Sequence, residues 1–165
     1  MRIIVISDTH IPKKAKKLPD ILIQDLKGAD MVLHAGDFQI MDVYEELAGY
    51  GKLIGVAGNV DSPELHDLLG EKHLLMLNGF SIGLTHGHGE KLTTEKRAIQ
   101  AFQDEKPDCI IFGHSHIPVL KTEKDILLFN PGSPLDKRKQ PRYSYGILTL
   151  GDELHAEHVF FDDRG

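Results

Sequence analysis

The 165-residue chain has no tryptophan and only one cysteine, Cys109. A single thiol cannot close an intrachain disulfide, so a reducing compartment is the simpler setting. Cys109 lies in the apolar run Cys109-Ile110-Ile111-Phe112, where it reads as a small buried hydrophobe rather than a nucleophile. No window approaches the roughly 20 apolar residues that a bilayer crossing needs. The first apolar run is cut off by Asp8, too soon for the core of a secretory signal. These absences place the chain in the cytoplasm, away from membranes. An excess of cations is missing too: 19 Lys and Arg stand against 25 Asp and Glu, a net charge of -6. That balance argues against stable binding to long nucleic acid, which needs a broad cationic face, but not against a small anionic substrate. There is no repeat and no low-complexity tract, and residues 1–165 are read as one domain.

What is present begins with Arg2-Ile3-Ile4-Val5-Ile6, a run without alternation that reads as a strand buried on both faces, as in a covered parallel sheet. Helical spacing follows in Leu18 to Leu26, closed by Gly28, and then a second apolar run, Met31 to Ala35. Strand, helix and strand in this order make a βαβ unit. Ile40 to Tyr50 reads as the next helix and Lys52 to Ala57 as the third strand, with Ser62-Pro63-Glu64 opening a short helix. His73 to Leu77 and Phe80 to Thr85, parted by Asn78-Gly79, carry a strong hairpin signal. Thr93 to Gln103 reads as a helix and Cys109 to Phe112 as a strand. After that the pattern is strand on strand: Ile126 to Phe129, Tyr143 to Leu150 and Leu154 to Phe161. Helices are too few to cover all this β surface. The economical fold is α/β, a four-layer αββα sandwich of two mixed sheets flanked by helices.

Five of the apolar runs end alike, in Asp8 with His10, in Asp37, in Asn59, in His86, and in His114 with His116. In α/β sheets, ligands bind beyond the carboxyl ends of the strands, so these loops should meet. Asp8 and His10 are two residues apart, and in extended backbone their side chains would point the same way. Taken singly, Asp37 and Asn59 could be turn residues and either His114 or His116 a loop histidine. Together they offer seven nitrogen and oxygen donors, too many for one ion and suited to two, with Asp37 able to bridge.

The segments Asp8-Thr9-His10, Gly36-Asp37, Gly58-Asn59-Val60-Asp61, Thr85-His86-Gly87-His88, Gly113-His114-Ser115-His116 and Asn130-Pro131-Gly132-Ser133 resemble the calcineurin-like metallophosphoesterase superfamily, in particular its small single-domain bacterial and archaeal phosphodiesterases. The resemblance implies a dinuclear centre. One metal would take Asp8, His10, Asp37 and His116, and the other Asp37, Asn59, His86 and His114. Two divalent ions about 3.5–4 Å apart would provide a hydroxide at neutral pH for in-line attack on phosphorus. Imidazole and carboxylate donors without thiolate favour Mn, Fe, Co, Ni or Zn, and manganese is the first expectation. Larger members carry a histidine after the asparagine to protonate the leaving group. Here Val60 fills that place, so either His88 or a metal-bound water does the task, or the favoured substrates have good leaving groups such as phenols; the expectation is a phosphodiesterase poor on alkyl monoesters.

Two cationic loops, Lys13-Lys14 with Lys16-Lys17 and Lys137-Arg138-Lys139 with Arg142, either flank the site or merely keep the surface charged. Asn130 to Ser133 is expected to form a turn beneath the metal loops, and His34, His66, His73, His155 and His158 to be structural or surface residues. The alternatives are a protein-interaction scaffold like the retromer subunit of the same superfamily, or a nucleotide phosphatase or nuclease. The oligomeric state stays open, a homo-oligomer included.

Overall fold

A computed structural model describes residues Met1 to Gly165. In chain order its elements are β1 (Arg2–Ile6), α1 (Asp20–Lys27), β2 (Met31–His34), α2 (Met41–Ala48), β3 (Lys52–Gly55), α3 (Pro63–Leu69) and β4 (Lys72–Leu77). They continue with β5 (Phe80–Thr85), α4 (Thr94–Ala101), β6 (Cys109–Ile111), β7 (Val119–Glu123), β8 (Ile126–Asn130), β9 (Tyr143–Leu150) and β10 (Leu154–Phe161). They build two five-stranded mixed sheets, ordered β10-β9-β1-β2-β3 and β4-β5-β6-β8-β7.

The period of two in β1 explains the layering. Ile4 and Ile6 face a cluster with Leu22, Leu26, Val43, Leu47 and Leu65 from α1, α2 and α3. Ile3 and Val5 face the other way, into a cluster where Leu33 and Leu148 meet Ile82, Leu84, Ile111 and Phe129 of the second sheet. On the outer side of that sheet, Ile110, Phe112 and Leu128 receive Ala98 and Phe102, at the end of the chain's fourth helix. The result is the expected four layers, helix, sheet, sheet, helix. Each large aliphatic side chain taken wholly out of water contributes about 1.5–3 kcal/mol, and the four apolar residues of β1 are fully buried.

Local chemistry sets the element ends. Ser62 caps α3 by accepting from the Leu65 amide, with Pro63 in the first turn, and Thr93 caps α4 through the Lys96 amide. Asn78 (φ 50°) and Gly79 (φ 86°) supply the two left-handed residues that a tight β4–β5 turn requires. One strand lies outside the sequence expectations. β7 pairs antiparallel with β8 through a turn whose central residues, Lys124 and Asp125, also have positive φ, 51° and 66°. An exposed edge strand has no buried face to create alternation, and a Lys-Asp turn lacks the usual Asn-Gly signal.

Candidate metal centre

All five donor loops leave the carboxyl ends of β1, β2, β3, β5 and β6 and meet at one edge of the sandwich. Asp8, His10 and His116 bring ligand atoms within 4.8 Å of one another, as do Asp8, Asp37 and His86. Asp8 Oδ1 lies 3.7 Å from His10 Nε2, 3.8 Å from His86 Nε2 and 3.5 Å from His116 Nε2. Asp37 Oδ2 lies 3.5 Å from His10 Nε2 and 3.1 Å from His86 Nε2. Asn59 Oδ1 is 3.1 Å from His86 Nε2. His114 is looser: its half-buried ring stands edge-on to His86 with centroids 5.2 Å apart. His88 stands at the rim, 5.5 Å from His86 by the same measure.

The convergence does not arise from extended backbone, as the two-residue spacing suggested. Asp8 (φ 57°), His10 (φ 49°), Asp37 (φ 63°), His114 (φ 68°) and His116 (φ 63°) are all in the left-handed region. Non-glycine residues adopt that region at a cost, and such residues gather at functional sites, where the surrounding structure holds them.

That surrounding structure can be traced bond by bond. Each carboxylate has one oxygen tied down. Asp8 Oδ2 accepts from Ser7 Oγ at 2.7 Å and the His114 amide at 3.0 Å, and Asp37 Oδ1 accepts from the Val60 amide at 3.0 Å. Two imidazoles are oriented in the same manner: His86 Nδ1 donates to Ala35 O at 2.7 Å and His116 Nδ1 to the Asp136 carbonyl, which leaves each Nε2 as a candidate ligand atom. Ser133 Oγ donates to Asp8 O at 2.8 Å, and Asn130 Nδ2 donates to Gly113 O, so the Asn130–Ser133 turn does pack beneath the loops. Gly58 and Gly113 are required by close approach. A Cβ at Gly58 would collide with the Asp37 carboxylate, and one at Gly113 with Ser7 Oγ.

Asp61 belongs to a segment singled out in the sequence but was assigned no role there. Its carboxylate accepts from the amides of Asp37 (2.9 Å), Gly58 (2.8 Å) and Gln39 (2.6 Å), clasping the loop after β2 to the loop after β3. Burial nevertheless raises its pKa. No spacing rule in the sequence points to it. An Asp that follows a candidate ligand and has only amide partners becomes visible only in three dimensions.

The electrostatics call for positive charge. Burial opposes ionisation of Asp8 and Asp37, yet the imidazoles around them outweigh it and hold both carboxyls below their ordinary range. Burial likewise opposes protonation of His86, but Asp37 and Asp8 overcome it and raise its pKa to about 9. For His114 burial wins, reinforced by His86, and the pKa falls to about 4. Asp8 Oδ1, His10 Nε2, His116 Nε2 and His88 Nδ1 are buried without hydrogen-bond partners. Orphaned buried polar atoms cost about 1–3 kcal/mol each. Inward-facing lone pairs in a hard-to-intermediate donor set therefore fit divalent cations. Cys109 takes no part, since burial pushes its thiol up to about 12.

His34 shows what the centre rests on. Fully buried, it accepts from the Gly36 amide at Nδ1 (3.1 Å) and meets Thr9 Oγ1 at Nε2 (3.2 Å), and its ring stacks on Phe38. Burial lowers its pKa to about 3. The neutral ring thus contributes fully above the unfolded pKa near 6.5, and the contribution is lost as pH falls from there toward 3, by about 1.4 kcal/mol per unit. Urea unfolding of the parent and His34→Gln between pH 7 and pH 4 should show a steeper acid slope for the parent. Parallel slopes would rule the effect out.

The largest cavity, about 660 Å³, lies at the opposite ends of the strands, beside Phe102, Asp108, Lys124 and Ile126, and contains none of the donors.

Carboxylates and imidazoles gathered at the carboxyl edge of a double-sheet sandwich define a metal-dependent hydrolase. The chain belongs to the calcineurin-like phosphoesterase superfamily, whose domain model matches residues 1–153. It is 33% identical over 160 residues to the probable metallophosphoesterase MJ0623 of Methanocaldococcus jannaschii, covering 96% of this chain and 81% of that one. It is 27% identical over 165 residues to the phosphodiesterase MJ0936 of the same organism, covering 92% and 91%. Among solved structures, the Thermotoga maritima protein TM1076 aligns with a TM-score of 0.76 at 32% identity, covering 97% of this chain and 99% of that one. No helix is long and apolar enough to cross a membrane.

Proposed function

We propose that this metallophosphoesterase is a manganese-dependent phosphodiesterase acting on small diesters with good leaving groups. The observation that carries the reading is the set of orphaned buried atoms: Asp8 Oδ1, His10 Nε2 and His116 Nε2 point at a common space without a partner. Asp8, His10, Asp37 and His116 would hold one ion, and Asp37, Asn59, His86 and His114 the other. Support for Asp37 as the shared ligand is that its Oδ2 reaches both His10 and His86, at 3.5 and 3.1 Å, nearer than Asp8 Oδ1 at 3.7 and 3.8 Å. When bound, the ions supply Lewis acidity and a hydrolytic water at neutral pH.

The chain's own residues do the rest. Asn59 contributes a neutral carbonyl oxygen, and its loop is fixed by the clasp at Asp61. His88, half-buried with its ring 5.5 Å from that of His86 and 6.4 Å from that of His114, is the further imidazole near enough to the donors to give a proton to the departing oxygen. Val60, 43% exposed, cannot. Burial, reinforced by His86, lowers the His88 pKa and leaves the ring mostly neutral at pH 7, which suits an aryl or similarly acidic leaving group better than an alkoxide. A buried, unpaired Cys109 fits a reducing compartment such as the cytoplasm. The chain is read as one catalytic domain whose substrate is a small ester rather than long nucleic acid.

The manganese-loaded protein should hydrolyse bis(4-nitrophenyl) phosphate faster than 4-nitrophenyl phosphate, followed by nitrophenolate absorbance. Much faster hydrolysis of the monoester would refute the preference. A scaffold would have no use for so many orphaned donors, and its signature would be absence of tightly bound metal by elemental analysis together with no turnover.

A further inference from the structure

The two cationic loops do not act as one block. Lys17 pairs with Asp20 at 3.6 Å, Arg142 pairs with Asp162 at 2.9 Å, and Lys137 lies over the Tyr143 ring. Lys13, Lys14 and Arg138 instead line a cleft of about 330 Å³ whose wall also includes His10, so the cleft borders the candidate metal centre at that residue. Its one acidic side chain is Asp136, 3.9 Å from Lys14 Nζ, and Lys13 and Arg138 have no ion-pair partner. In a chain of net charge -6, this is a local reversal of sign beside the site where phosphate would bind.

The cleft is built rather than incidental. Ile11 and Gln39 form a parallel β-bridge that joins the loop after β1 to the loop after β2. The Lys14 amide closes a turn onto His10 O at 2.9 Å. Arg164 donates to Lys14 O at 2.7 Å and Leu135 O at 3.0 Å, tying one cationic loop to the other. Gln39 and Arg138 are both left-handed, with φ 93° and 50°. Gln39, whose Oε1 is buried without a partner, and Val60 complete the lining.

We propose that this cleft is a second anion subsite, selecting phosphate esters that carry another phosphate across a short spacer. The inference rests on the phosphodiesterase reading for the position of the reacting group. One phosphate sits at the metal centre, the spacer passes Val60 and Gln39, and the second phosphate lies between Lys13, Lys14 and Arg138. Lys13 and Arg138, without ion-pair partners, can each add a charge-assisted bond, while Asp136 offsets part of the Lys14 charge, and this with partial exposure keeps the combined gain to about tenfold.

The test uses probes that cannot be hydrolysed. Calorimetric titration of the manganese-loaded protein with butane-1,4-bisphosphonate should give binding about tenfold tighter than with butylphosphonate. In the K13Q/K14Q/R138Q variant the two should agree within about twofold. The single Arg138→Glu variant gives the same reading, a reduced preference, if the triple variant does not fold. Equal binding by the parent protein, or a preference that survives in the variants, would overturn the subsite. Turnover is read separately with the 4-nitrophenyl ester of thymidine 5'-phosphate, with and without a 3'-phosphate. Selective binding without cleavage of any diester would uphold the subsite and remove the diesterase reading. Diester cleavage with no selectivity in binding would do the reverse.

Discussion

Asp37→Ala should leave a protein with no more than about one thousandth of the parent's turnover of an aryl diester, a loss of about 4 kcal/mol in transition-state stabilisation. Asp37 Oδ2 reaches His10 and His86, while Oδ1 holds the Val60 amide and so the loop that carries Asn59. Truncation would remove a charge from both proposed ligand sets and release that loop. Elemental analysis should show that metal is lost along with activity. Asp37→Asn separates the two roles, because an amide oxygen can still accept from Val60 but brings no charge. Its metal content should fall nearly as far, with the fold intact by circular dichroism. Parent-like turnover in either variant would remove Asp37 from the bridging position.

The second large effect is expected at a residue that touches no substrate. Asp61→Ala would strip the amides of Asp37, Gly58 and Gln39 of their common acceptor. Orphaned donors of this kind cost about 1–3 kcal/mol each, and partial hydration of the loosened loops should bring the total to about 3 kcal/mol by urea denaturation. Outer-shell partners of metal ligands typically control affinity by 10–100-fold, and manganese affinity should fall by roughly that factor. Asp61→Asn should recover part of both losses, since one oxygen can still serve Asp37 and Gly58 while its amide group faces the Gln39 donor. An alanine variant that kept parent affinity would show that the two loops hold their positions without the clasp.

The sequence made some of this legible and hid the rest for physical reasons. Donors at strand ends are readable because a continuous apolar run fixes where the strand stops, as in Ile3 to Ile6 before Asp8 or Cys109 to Ile111 before His114. The Asn78-Gly79 hairpin is readable because only a few residue types favour two successive left-handed conformations. β7 was hidden by the same logic in reverse, since Lys124-Asp125 adopts those conformations without advertising them. The four layers followed from the supply of helices against strands. The role of Asp61 could not, because its partners are backbone amides and any sequence offers those. Nor could the sorting of the cationic loops, in which Arg164, far along the chain, decides that Lys14 lies beside Arg138 at the cleft.

The left-handed backbone at Asp8, His10, Asp37, His114 and His116 also bears on how such a protein could change over generations. Glycine rests in that conformation without the penalty of about 1–2 kcal/mol that other residues incur. A codon change that erases one of these side chains in favour of glycine would therefore give back part of what the lost contacts had contributed. The shell would survive the loss of its chemistry, and an inert platform of the same shape lies only a few substitutions from the catalyst.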